Sequence, residues 1–83
     1  MPISLKSGFS LIRDSDLSYE KMTVEIQYKG EQIAQINMDK GINNLEIEIF
    51  TEFVNPDFMP KFPLTEFLEA LSDAKKILGE YNL

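Results

Sequence analysis

Residues 22–38 read MTVEIQYKGEQIAQINM. In the first half, Met22, Val24, Ile26 and Tyr28 alternate with Thr23, Glu25 and Gln27. That is the two-residue period of a strand with one buried face. Lys29-Gly30 then supplies a hairpin tip, because glycine accepts the positive φ a tight turn requires. The return strand does not follow one simple register. A two-residue loop pairs Ile26 with Ile33 but sets Val24 against Gln35, whereas a shift of one aligns Ala34, Ile36 and Met38 with Ile26, Val24 and Met22. A bulge near Gln32-Ile33 satisfies both.

Working outward, Asp39-Lys40-Gly41 makes the next turn, and NNLEIEIFTEF (43–53) the last strand. Leu45, Ile47 and Ile49 fall on one side of it, Glu46 and Glu48 on the other. Upstream, residues 3–13 predict a first strand with Gly8 as a bulge, followed by the turn formers DSDLSYEK (14–21). After Phe53, the prolines at 56, 60 and 63 keep VNPDFMPKFP (54–63) as an extended loop. Leu64, Phe67, Leu68, Leu71, Ala74, Ile77, Leu78 and Tyr81 then recur at helical spacing. Glu66, Glu69 and Asp73 precede Lys75 and Lys76, in line with the helix macrodipole, and Gly79 either ends the helix or weakens its last turn. The predicted fold is α+β: a three- to four-stranded antiparallel meander with one C-terminal helix packed on one face, against Val24, Ile26, Ile36, Ile47 and Ile49.

The 83 residues make one domain, 1–83, since two cores would each be near the lower limit of independent folding. At 43% hydrophobic and 27% charged, the composition is that of a globular chain rather than a disordered one. No run nears the roughly 18 apolar residues of a membrane span, and the N-terminus lacks the features of a secretory signal. With no cysteine there is neither a disulfide nor a thiolate metal site, which fits a reducing cytoplasm. Fourteen acidic against eight basic residues give a net charge of −6, and only Lys75-Lys76 places two cations together. Direct binding to nucleic acid or to an anionic membrane is therefore disfavoured, and the natural partner is a basic protein surface. The same charge also serves solubility.

Opposite the predicted core lie Thr23, Glu25, Gln27, Gln35, Asn37, Glu46 and Glu48, with Phe50 among them. This is either an ordinary solvated sheet face or a docking face for Lys and Arg, with Phe50 as an aromatic anchor. Glu66, Glu69 and Asp73 make the alternative acidic face, on the helix. Catalysis is not expected. General acid–base work needs a carboxyl group raised by burial in a cleft, and with no His and no Cys the usual nucleophile–base pairs cannot be built. Asp14, Asp16, Ser18, Glu20 and Glu25 carry oxygen ligands at calcium-loop spacing, but Tyr19 stands where such a loop needs glycine and Glu25 belongs to a strand, so no metal and no cofactor are expected. Phe50, Phe53, Phe58, Phe62 and Phe67 concentrate around the proline loop, as a flap completing the core or as a patch for dimerisation.

The acidic hairpin followed by EIFTEFVNPDFMPKFPLTEFLEALSDAKKIL (48–78) resembles small bacterial immunity proteins of contact-dependent growth inhibition and other polymorphic toxin systems. The likeness spans roughly residues 20–80 and rests on length, acidity, strand–strand–helix order and the Phe/Pro segment. It implies binding of one cognate toxin domain, often a nuclease, and obstruction of its active site. The residues themselves single out Glu25, Glu46, Glu48 and Phe50 as contacts, with Glu66, Glu69 and Asp73 as the other face. Two alternatives stand beside it: a nucleic-acid mimic that inhibits a DNA-binding enzyme, and a small homodimeric accessory domain.

Overall fold

The computed structural model describes residues 3–4, 8–15, 17 and 19–80. Among the described residues five strands, β1 (Ile3–Ser4), β2 (Phe9–Asp14), β3 (Thr23–Tyr28), β4 (Glu31–Asn37) and β5 (Glu46–Ile49), precede one helix, α1 (Leu64–Glu80). Each strand pairs antiparallel with the next, in the spatial order β1-β2-β3-β4-β5. This is the expected α+β meander with a C-terminal helix, widened by the two-residue strand β1.

The predicted first strand over 3–13 is instead two strands. Ile3 pairs with Leu11 and Ser4 with Ser10, so the chain reverses between them. Gly8 is not a bulge: it sits at φ +91° at the end of that reversal, and its carbonyl accepts the Lys29 N–H at 3.0 Å.

The central hairpin behaves as its sequence dictates. Lys29 (φ 48°) and Gly30 (φ 88°) both take positive φ, the combination that matches the twist of the flanking strands. Val24 pairs with Ile36 and Ile26 with Ala34, and the register then slips so that Gln27 meets Gln32. Ile33 is the extra residue. Because of this bulge Ile33 and Ala34, adjacent in sequence, are both buried in the core, which strict alternation would forbid. A Cβ at Gly30 would meet nothing within 4 Å, so the penalty of a side chain there is backbone strain alone. Gly30→Ala is expected to lower stability by ~1 kcal/mol, read as a lower urea midpoint at unchanged slope.

The helix does not lie where the hydrophobic pattern alone would put it. It packs on β2 and β3. Its buried residues are Ala70, Ala74, Ile77 and Leu78, which meet Phe9, Leu11, Val24 and Ile26. Two alanines, Ala70 and Ala74, lie fully buried in that contact, so the side chains between helix and sheet there are small. At its N-terminal end, Phe9, Tyr28, Phe62 and Phe67 form one aromatic cluster with centroids 4.6–5.8 Å apart. Consequently Ile47 and Ile49, expected beneath the helix, are 45% and 61% exposed, and Leu64 and Leu68 of the expected stripe are 69% and 54% exposed. Tyr81 lies outside the described residues. The helix runs through Gly79 to Glu80, so Lys75 and Lys76 stop short of the last turn, which holds no cation.

The proline loop 50–63 folds back as a flap. Phe53, Phe58 and Phe62 are half-buried against the core, with Phe53 and Phe58 4.8 Å apart. Glu31 pins it. This buried carboxylate accepts the Val54 N–H at 2.9 Å and the Asn55 N–H at 2.8 Å.

Candidate partner-binding face

The polar face of the sheet is not uniformly wet. Thr23, Glu25, Gln35 and Asn37 are buried on it. Gln35 Nε2 donates to Thr23 Oγ1 at 2.7 Å, and Thr23 Oγ1 in turn donates to the Asp14 carbonyl at 3.3 Å. Gln27 and Gln32 donate their amide hydrogens to the two oxygens of Glu25, at 2.7 and 2.9 Å. Among the described residues no buried side-chain nitrogen or oxygen lacks a partner. Taking these groups out of water costs little because they satisfy one another. Glu25 retains only 8% exposure, so its place in a wet acidic row is corrected: it is a buried acceptor capped by the half-buried Gln27 and the exposed Gln32 amides. Asp16 and Ser18, weighed above as oxygen ligands, lie outside the described residues. Among the described residues no group of three or more acidic side chains is arranged to hold a metal ion.

Glu46 and Glu48 are different. All four residues of β5 are exposed. Glu46 takes one ion pair, from Lys40 Nζ at 3.0 Å, and Glu48 takes one hydrogen bond, from the Tyr19 hydroxyl at 2.9 Å. A carboxylate has about four acceptor sites, so each keeps most of its capacity toward solvent. Tyr19 reaches Glu48 from the β2–β3 loop, which is itself tied to the β4–β5 turn by the Glu20 and Lys21 amides donating to Asp39. The loop thus reaches across the polar face as far as Glu48, while both β5 glutamates remain exposed.

The remaining candidates divide. Phe50 follows the end of β5, is half-buried, and donates its N–H to the Ile33 carbonyl at 3.0 Å. It lines a cleft rather than standing in the acidic row. Glu66 and Asp73 are seven residues apart, hence on one flank of the helix, and Glu80 continues that line. Glu80 approaches Arg13 of β2 at 3.7 Å, which puts this flank toward β2, away from β5. Glu69 is fully on the solvent side. The two acidic faces predicted from sequence are therefore separate surfaces.

The sequence pattern missed what lies between the helix and β5. Because the helix sits over β2 and β3, two open clefts flank the helix side of β5. One, of about 570 Å3, is lined by Ile36, Ile42, Leu45, Ile47, Leu71 and Lys75 among others. The other, of about 600 Å3, is walled by Ile33, Ala34, Ile49, Phe53, Phe62 and Phe67 with their loop neighbours. The signal was present in the helix: apolar residues occupy two rows, Ala70-Ala74-Ile77 and Leu64-Leu68-Leu71, and the sheet contact buries the first while leaving Leu64 and Leu68 exposed and Leu71 half-buried. No helix among the described residues is long and apolar enough to cross a membrane. Compared with known protein families, curated proteins and solved structures, the chain matches none.

Proposed function

We propose that this chain is a non-catalytic, cytoplasmic immunity protein: an acidic binding domain that covers the basic working surface of a cognate toxin domain, a nuclease above all. The observation that carries this reading is β5, where Glu46 and Glu48 stand exposed on one side of the last strand with most of their acceptor capacity open. They belong to a chain of net charge −6. A nuclease must concentrate cations around its phosphate site, so its active surface is the complement of this one. A preformed carboxylate pair on a rigid strand would be steered to that surface and would block substrate from it. The carboxylates are about 7 Å apart along the strand, a spacing that suits separate ion pairs with two cations.

The test is the double substitution Glu46→Lys/Glu48→Lys, measured against a toxin domain from which the unsubstituted chain protects cells. At low salt the association rate is expected to fall by about 10- to 100-fold, and the difference from the unsubstituted protein to shrink as salt rises. Protection of cells expressing the toxin falls with it, while folding stability drops by only about 1 kcal/mol, because both side chains are exposed and lose just the Lys40 ion pair and the Tyr19 hydrogen bond. Unchanged association discards this face. Loss of association only on reversing Glu66, Glu69 and Asp73 transfers the contact to the helix.

A further inference from the structure

We infer that β5 is an acceptor edge, to which a partner adds one extended segment whose residues alternate apolar and basic. This rests on the basic-partner reading and specifies how the partner engages. β5 is the last strand of the sheet, paired on one side only. Phe50 N–H bonds to the Ile33 carbonyl, and antiparallel bonding alternates along the ladder, so Glu48 and Glu46 share the inward phase. The backbone N–H and C=O of Ile47 and Ile49 therefore point outward, away from β4. They are donors and acceptors set at the two-residue spacing that an added strand matches.

The side chains select the occupant. An added strand continues the pleat, so half of its residues lie over the helix side and half over the acid side. On the helix side they meet Ile47, Ile49 and the two clefts, whose helix walls are Leu71 and Lys75 in one and Phe67 in the other. Those positions take apolar residues. On the other side they stand opposite Glu46 and Glu48 and take Lys or Arg, since opposite charges across a strand pair stabilise it. A second copy of this chain is a poor occupant. Any register that keeps the isoleucines of two β5 strands on the helix side also sets glutamate against glutamate, which is destabilising.

The probe is a seven-residue synthetic peptide alternating Lys and Val, compared with its Glu–Val counterpart, added to the intact chain and followed by amide hydrogen exchange. The Lys peptide is expected to slow exchange at Ile47 and Ile49, and the Glu peptide to leave it unchanged. Ile49→Pro removes an outward N–H and leaves the β4 ladder whole, whereas Ile49→Ala removes only the side chain. Ile49→Pro is expected to bind the Lys peptide about tenfold or more weakly than Ile49→Ala. Equal binding by the two variants, or binding of the Lys peptide without protection at Ile47 and Ile49, overturns edge addition. Toxin association that is lost on reversing Glu46 and Glu48 but is indifferent to Ile49→Pro also overturns it, and leaves the acidic-surface reading standing. Protection of the same amides without peptide, rising with protein concentration alongside a dimer in sedimentation, makes a second copy the occupant and overturns it as well. The exchange measurement on the unsubstituted chain decides the matter even if Ile49→Pro fails to fold.

Discussion

Phe9→Ala is expected to remove a large share of the domain's stability, the largest loss of any single truncation considered. The Phe9 ring is fully buried on β2. It lies 4.6 Å from the ring of Tyr28, 5.4 Å from Phe62 and 5.8 Å from Phe67. Those contacts join three parts of the chain: the central hairpin, the proline loop and the first turn of the helix. Truncating a buried Phe costs ~3–5 kcal/mol, from lost transfer energy and from the cavity left behind. The tilted and edge-on ring contacts add their own share. A domain of this length holds only about 4–12 kcal/mol in total. With ~4–8 °C lost per kcal/mol at this size, the midpoint in a thermal melt should fall by about 15 °C or more. Phe9→Leu, which keeps most of the volume, should cost less than half as much. A melt in which Phe9→Ala shifts the midpoint by only a few degrees would show that the aromatic cluster collapses around the gap and does not organise the fold.

The hairpin was legible because two independent constraints met in it. The alternation in Met22–Tyr28 gave the face, and Ala34, Ile36 and Met38 gave a register that only a bulge at Gln32-Ile33 reconciles with a short loop. The existence of the helix was legible for the same kind of reason, but its lateral position was not. Periodicity places apolar residues on a helix without saying which of two rows meets the sheet. Here the decision went to Ala70 and Ala74, whose small side chains permit close approach, over the bulkier Leu64 and Leu68. That choice left Ile47 and Ile49 uncovered and opened the clefts beside β5. The acidic row was half legible. Alternation separates faces but does not say that the second face is wet, and Glu25 is withdrawn from it by Gln27 and Gln32, while Thr23 pairs with Gln35. Glu46 and Glu48 stay exposed because they sit on the outermost strand, a fact of strand order that follows once each strand pairs with the next. Phe50 left the row because β5 ends at Ile49, before alternation could carry it there.

Glu31→Ala is expected to release the proline loop, with a loss of about 2–3 kcal/mol. The carboxylate is buried beside the hairpin turn and is the acceptor for two consecutive loop amides, those of Val54 and Asn55. Consecutive N–H groups cannot both be satisfied by regular structure in a segment broken by Pro56, Pro60 and Pro63, so a side chain supplies what a β-ladder would. Hydrogen bonds to a charged acceptor are worth more than neutral ones, and here two converge on one group. Glu31→Gln keeps one carbonyl oxygen but turns an NH2 group toward a backbone donor, so it should lose roughly half as much as the alanine variant. The loss is local before it is global, because Val54 and Asn55 are exposed and can turn to water once freed. Amide exchange at those two residues should therefore accelerate well beyond that of the β3 and β4 amides. The cleft walled by Phe53 and Phe62 widens with the loop, so Glu31→Ala should also weaken any apolar contact made beside Ile49 while leaving Glu46 and Glu48 in place. Exchange that speeds up equally throughout the sheet would instead make Glu31 a prop of the whole core, and would place the loop within the cooperative unit of folding.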